Sequence, residues 1–227
     1  MVATALDIAH PDVVPDCLRQ LYGDDHVLAF DKPAGLLSVP GRGPDKQDSM
    51  ATRARAQWPD ARVVHRLDMA TSGLMLLARG AEAQRVLGAA FEGRRVEKRY
   101  IAVVDGWPTE EAGEIDLPLL VDWPERPRQK IDPVDGKPAL TRWRVLRRET
   151  ADDGAPVARL VLMPVTGRSH QLRVHLQAIG HPILGDPLYA PEPAQRRAPR
   201  LLLHAESLEL PHPATGAPLR LHCPTPF

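Results

Sequence analysis

Only two cysteines occur in 227 residues. Cys17 and Cys223 stand near opposite ends, without metal-ligand spacing, so one terminal bridge is the most they can form. Two free thiols in a reducing cytosol is the expectation. No stretch approaches the roughly 20 apolar residues that span a bilayer. The opening MVATALDIAHPDVVPD has no basic segment followed by an apolar run, so no signal peptide is expected. HExxH and CxxC are absent, and His170 and His175 lie five apart rather than at the i, i+4 spacing of a metal pair, so no metal site is expected. There is also no GxGxxG, no phosphate-cradling GxxxxGK[ST] and no GxSxG elbow.

Net charge is lacking too: 29 basic residues face 29 acidic ones. The balance is uneven along the chain, however. Residues 101–125 hold no Lys or Arg, whereas residues 51–100 and 126–227 are net basic. A neutral total therefore leaves room for a basic face of the kind a phosphate backbone attracts, or simply for alternating solvated surfaces. The 43% hydrophobic content is enough for a substantial core.

Hydrophobic patterning predicts strands over Val27–Phe30, Leu36–Val39, Leu74–Ala78, Tyr100–Val104, Ala139–Leu146, Val157–Val165, Leu201–His204, Leu208–Leu210 and Leu219–His222. Helices are expected over Met50–Trp58, N-capped by Ser49 and ended by Pro59, over Ala81–Phe91, and over Ser169–Ile179 before Gly180. Strands are not regularly followed by helices. The expected class is α+β, with a mixed, mostly antiparallel sheet and few helices, rather than a doubly wound fold.

Three segments carry candidate chemistry. Val64-His65-Arg66-Leu67-Asp68-Met69-Ala70-Thr71-Ser72-Gly73 sets His, Arg and Asp in a loop entering an apolar strand, where scaffolds present reactive side chains; an Asx-turn at Asp68 is the plainer reading. Thr166-Gly167-Arg168-Ser169-His170-Gln171-Leu172-Arg173 puts Arg168 near a helix N-terminus, a poor place for a cation unless it meets an anion. A buried carboxylate would serve, and would itself be held ionised; a surface arginine with Ser169 as N-cap is the alternative. Tyr100 opens a strand where it either stacks on a nucleobase or fills the core rim. Ser169, His170 and Asp68 make a hydrolase triad only on paper.

Together these segments resemble the RluA-type pseudouridine synthases. His65-Arg66-Leu67-Asp68 with Thr71-Ser72-Gly73, Lys98-Arg99-Tyr100, Thr166–Leu176 followed by Gly180–Asp186, and Leu203-His204-Ala205 match that family's motifs in order. Asp31–Arg42 and Asp122–Lys130 are similar to its short members, which act on both 23S ribosomal RNA and tRNA anticodon stem-loops. The resemblance implies a pseudouridine synthase catalytic fold: a bent sheet with flanking helices around a central cleft, two subdomains sharing one sheet over residues 1–227, and no S4 RNA-binding domain. It implies an isomerase that flips a uridine from its stack and needs no cofactor. Asp68 would be the catalytic carboxylate, Arg168 its ion-pair partner, and Tyr100 the stacking residue that assists loss of the C5 proton. His65 and Arg66 would fill the vacated space, while Thr71, Arg94, Arg126, Lys130, His170 and Gln171 would contact substrate. The expected partner is RNA (23S rRNA and tRNA stem-loops), with no DNA and no membrane, and the enzyme would be a cytoplasmic monomer. An RNA chaperone is the non-enzymatic rival, and it would not need Asp68.

Overall fold

The run Val27–Phe30 continues to Lys32 as a strand buried on both faces, which places it inside a sheet rather than at its margin. The structure, a computed structural model, describes residues 17–151 and 153–227. The reading of the first sixteen residues as lacking a leader lies outside them.

In chain order the elements are β1 (Arg19–Gly23), β2 (Val27–Lys32), α1 (Met50–Gln57), β3 (Ala61–Val63), β4 (Ser72–Arg79) and α2 (Gly80–Glu92). Next come β5 (Glu97–Asp105), β6 (Ala112–Asp116), β7 (Leu119–Val121), β8 (Gln129–Ile131), β9 (Leu140–Thr150) and β10 (Pro156–Pro164). The chain closes with α3 (Gln171–Ala178), α4 (Glu192–Arg196), β11 (Leu203–Pro211) and β12 (Pro218–His222). One sheet runs β1-β2-β4-β11-β5-β10-β9-β6, with β12 beside β11 and β3 beside β4, while β7 and β8 form a separate hairpin. The expected α+β class with a mostly antiparallel sheet is what the chain adopts: among the named strands only β4 with β11 pairs in parallel.

That parallel junction joins β1, β2 and β4 to the rest of the sheet. It is short, pairing Ser72 with His204 and Gly73 with Ala205. Gly73 sits at φ 108°, and a Cβ there would fall 2.3 Å from the Ala205 carbonyl oxygen, so only glycine lets the strands meet. One apolar cluster packs beneath β5, β9 and β10 around Leu160, Leu162 and Leu176. Others lie between β2, β4 and α2 around Leu74, Leu76 and Leu87, and under α1 around Phe30 and Met50.

Ser49 caps α1 as its sequence predicts, its Oγ accepting from the Thr52 amide at 3.1 Å. Three expectations need correction. Leu36–Val39 is not a strand, because the chain turns there to clamp the loop that carries Asp68. The two strands expected at 201–204 and 208–210 are the single strand β11, whose register shifts between Ala205 and Ser207; that irregularity interrupts the alternation in its sequence. The third helix starts at Gln171, two residues later than expected, because His170 takes a left-handed conformation at φ 54°.

Candidate active site

Asp68 lies in the loop between β3 and β4, and hydrogen bonds grip it from both sides. Ser38 Oγ donates to the Leu67 carbonyl at 2.6 Å and accepts from the Leu67 amide at 3.0 Å. The Met69 carbonyl accepts from Gly35 N at 2.9 Å and from Lys32 Nζ at 3.1 Å. Lys32 is fully buried, and its ammonium also donates to the Pro33 and Leu36 carbonyls, both at 2.8 Å. Burial pushes its pKa down to about 7, against which the nearby Asp68 charge acts. The turn at Asp68 is closed by its backbone carbonyl, which accepts from Thr71 N at 3.1 Å. The carboxylate is therefore not spent on an Asx-turn. Its side chain is 27% exposed and faces a cleft of about 840 Å³.

The cation beside Asp68 is Arg173, not Arg168. Arg173 Nη1 lies 3.8 Å from Asp68 Oδ2. Its Nε and Nη2 meet Asp186 at 2.7 and 2.6 Å, a buried two-point pair that fixes the direction of the remaining nitrogen. Asp186 is further satisfied by the amides of Leu188 and Tyr189. Arg168 is exposed and donates to the Pro138 carbonyl at 3.1 Å. The reason is the late helix start. The left-handed turn at His170 leaves Arg168 outside α3, while Arg173 enters its buried face between Leu172 and Val174. A charge inside the apolar run Leu172–Leu176 was the sequence signal for this buried pair.

His170 approaches Asp68 from the same side, with Nε2 at 4.0 Å from Oδ1. Its Nδ1 lies 2.7 Å from Tyr189 Oη, which itself accepts from the Gln129 amide at 2.7 Å. The Tyr189 hydroxyl is thus shared between the Gln129 amide and His170 Nδ1, and Nε2 is the ring nitrogen that faces Asp68. Burial lowers the His170 pKa, opposed by Asp68. Tyr189 thus ties the β7–β8 hairpin to His170 beside Asp68, a link with no signal along the chain.

Tyr100 lines the cleft from β5. Burial, and then the Asp68 charge, raise its pKa, so the phenol stays protonated at neutral pH. Gln171 lines the cleft but is buried and fully engaged: it donates to Leu140 O and Thr141 Oγ1 and accepts from Thr166 Oγ1 and Arg168 N. It braces α3 against β9. His65 accepts from the Leu76 amide at 2.9 Å and stacks on Phe91 at 4.7 Å, and burial takes its pKa down to about 3. It belongs to the wall, whereas its neighbour Arg66 is exposed at the cleft. Thr71 and Arg94 line the cleft as well, joined by Lys98, whose pKa burial lowers to about 8. Arg126 and Lys130 lie outside the lining, on the hairpin whose Pro127 reaches it. Among the described residues no group of three His, Cys, Asp or Glu is placed to hold a metal.

The family model for RNA pseudouridylate synthase matches residues 26–178. The chain is 51% identical over 207 residues to the dual-specificity RNA pseudouridine synthase RluA of Escherichia coli K12, covering 91% of this chain and 93% of that protein. It is 52% identical over 193 residues to the protein of the same name in Vibrio parahaemolyticus, covering 85% and 77%. Among solved structures, human RNA pseudouridylate synthase domain containing 1 superposes with a TM-score of 0.79 at 30% identity, covering 93% of this chain and 85% of that one.

Proposed function

Because this chain belongs to the RNA pseudouridine synthase family, we propose that it isomerises uridines in stem-loops of both 23S ribosomal RNA and tRNA anticodon arms, with Asp68 as the reacting carboxylate. The reaction breaks the bond from the sugar C1′ to N1, joins C1′ to C5, releases the C5 proton and returns one to N1. It is redox-neutral, so side chains suffice and no cofactor is called for. Both routes to the carbon glycoside need an ionised carboxylate against the ribose, either attacking C1′ or taking a sugar proton. The observation that carries the reading is Asp68 itself: gripped through Leu67 and Met69, free of local hydrogen bonds, and faced by the rigid Arg173 cation.

The remaining roles follow from placement. The target uridine must leave its stack, at a cost of a few kcal/mol that is lowest in a loop. Arg66, exposed two residues before Asp68, fills the gap it leaves. Tyr100 offers its ring to the uracil, and its protonated phenol relays the C5 proton, giving its own to the freed Asp68 carboxylate as it takes the one from C5. Arg94, Lys98 and Arg168 set positive charge around the mouth for phosphates. The cleft is complete within one chain, so a monomer suffices. No helix among the described residues is long and apolar enough to cross a membrane. An enzyme of ribosomal and transfer RNA works where those RNAs are, in the cytoplasm.

The test is tritium release from 5-³H-uridine in an anticodon stem-loop and in a matching 23S fragment. Wild type should release tritium from both, and Asp68→Ala from neither while keeping its circular dichroism. Release from one RNA alone would remove the dual specificity; equal release by Asp68→Ala would remove the mechanism.

A further inference from the structure

Of the four tryptophans, three are used by the fold. Trp143 is buried, Trp58 packs on Phe30 at 5.5 Å between ring centroids, and the Trp107 indole donates to the Glu149 carbonyl. Trp123 is not: it is 68% exposed, and its only ring contact among the described residues is the Arg126 guanidinium, 3.8 Å from its centroid. Its turn is nonetheless well built. Asp122 N donates to Arg128 O at 3.0 Å, Glu125 N to Asp122 O at 3.1 Å and Arg128 N to Glu125 O at 2.9 Å. The hairpin base is pinned by the Gln129 amide on Tyr189 Oη, and Pro127 of the same turn lines the cleft that holds Asp68. An ordered turn thus holds a large aromatic ring in water beside the catalytic mouth, a cost with no return inside the fold.

We propose that Trp123, backed by Arg126, is a stacking subsite for an unpaired nucleobase of the RNA loop flanking the flipped uridine. The inference rests on the reading of the cleft as an RNA site. Every base has a π-face, and stacking on an exposed aromatic is how proteins take single-stranded nucleotides. Arg126 over the ring fixes its orientation and adds a cation–π contact. Arg126 is laid against the ring, and the flat exposed face that remains suits a base rather than a phosphate. This gives the substrate contact expected of Arg126 a definite part. Because Tyr189 joins this hairpin to His170, a base seated on Trp123 braces the element that borders Asp68.

The experiment compares wild type, Trp123→Ala, Trp123→Phe and Arg126→Ala on the 5-³H-uridine anticodon stem-loop, following intrinsic tryptophan fluorescence during RNA titration as well. Trp123→Ala should raise KM about tenfold to a hundredfold, the range of one base–aromatic stack, with kcat at saturation within about twofold. Trp123→Phe should recover most of the loss, and RNA should quench wild-type fluorescence but not that of Trp123→Ala. An abasic nucleotide at the stacked position, found by scanning the positions beside the target, should erase the difference between wild type and Trp123→Ala. An unchanged KM with unchanged quenching overturns the subsite while leaving the synthase reading intact. A loss of self-association in sedimentation, with RNA binding unaltered, overturns it in favour of a contact between copies. If wild type binds RNA but releases no tritium, the synthase reading fails and the quenching arm still decides the subsite.

Discussion

Asp186 occupies two nitrogens of Arg173 and leaves a third directed at Asp68. Aim and charge are thereby separated: Asp186 supplies the aim, and Asp68 receives the field. A lysine at this position keeps the charge but loses the planar fork. Arg173→Lys should therefore fold, retain RNA affinity and lose about a hundredfold or more in kcat, the scale of a misplaced electrostatic partner. Arg168→Ala, which removes only an exposed contact to Pro138, should change kcat less than about threefold and act mainly through KM. Single-turnover kinetics on one stem-loop would separate the two, and equal effects would refute the assignment of Arg173. At this scale the sequence singled out Asp68, which the structure sets in the cleft, but not the arginine beside it. The motif around Asp68 is contiguous, so its chemistry can be read along the chain. The choice between Arg168 and Arg173 depended on where α3 begins, and His170 in a left-handed turn is a backbone event that residue propensities disfavour.

The elements that hold the site meet at β4 and β11, and the two-residue parallel ladder between them is the narrowest point of the sheet. Gly73→Ala places a methyl against the Ala205 backbone and forces alanine into positive φ. The expected loss is about 2–5 kcal/mol, read as a lower urea midpoint. Activity should fall with it, since the next residues toward the N-terminus are Ser72, Thr71 and the Asp68 turn. A stability within about 0.5 kcal/mol of wild type would mean that the junction relaxes freely. Long apolar strands such as β4 and β10 were plain in the sequence, as was α2 with its apolar face. β1, β3, β6, β7 and β8 were not, being three to five residues long and, β7 apart, part polar. Their pairing is decided by distant partners, which local periodicity does not register.

Across the whole molecule, the histidines at 65, 170, 175 and 204 all have pKa values lowered first by burial. For His65 the fall is from 6.5 to about 3. The unfolded chain then takes up a proton as pH drops through 6.5 while the folded chain does not, so stability is lost as pH falls across that window. The contribution at pH 5 is about 1–2 kcal/mol. His65→Gln, which keeps an acceptor for the Leu76 amide, should lower the melting temperature at pH 7 yet flatten its decline between pH 7 and 5. An unaltered slope would place the acid sensitivity elsewhere.

The order of the strands also has a consequence in time. β11 lies between β4 and β5 in the sheet but follows both by about a hundred residues or more in the chain. A ribosome delivers the chain from its N-terminus, so β5 and the start of β4, beyond the part that β3 covers, emerge early and wait unpaired for the strand that fits between them. Until then neighbouring bare edges are open to wrong partners, and the cell's chaperones have a reason to attend. Ser72 and Gly73, which lead out of the Asp68 loop, gain their His204 and Ala205 partners only once β11 has emerged. The strand that leaves the Asp68 turn is thus held on its far side by a segment made long after it, and the site is framed only when that segment takes its place.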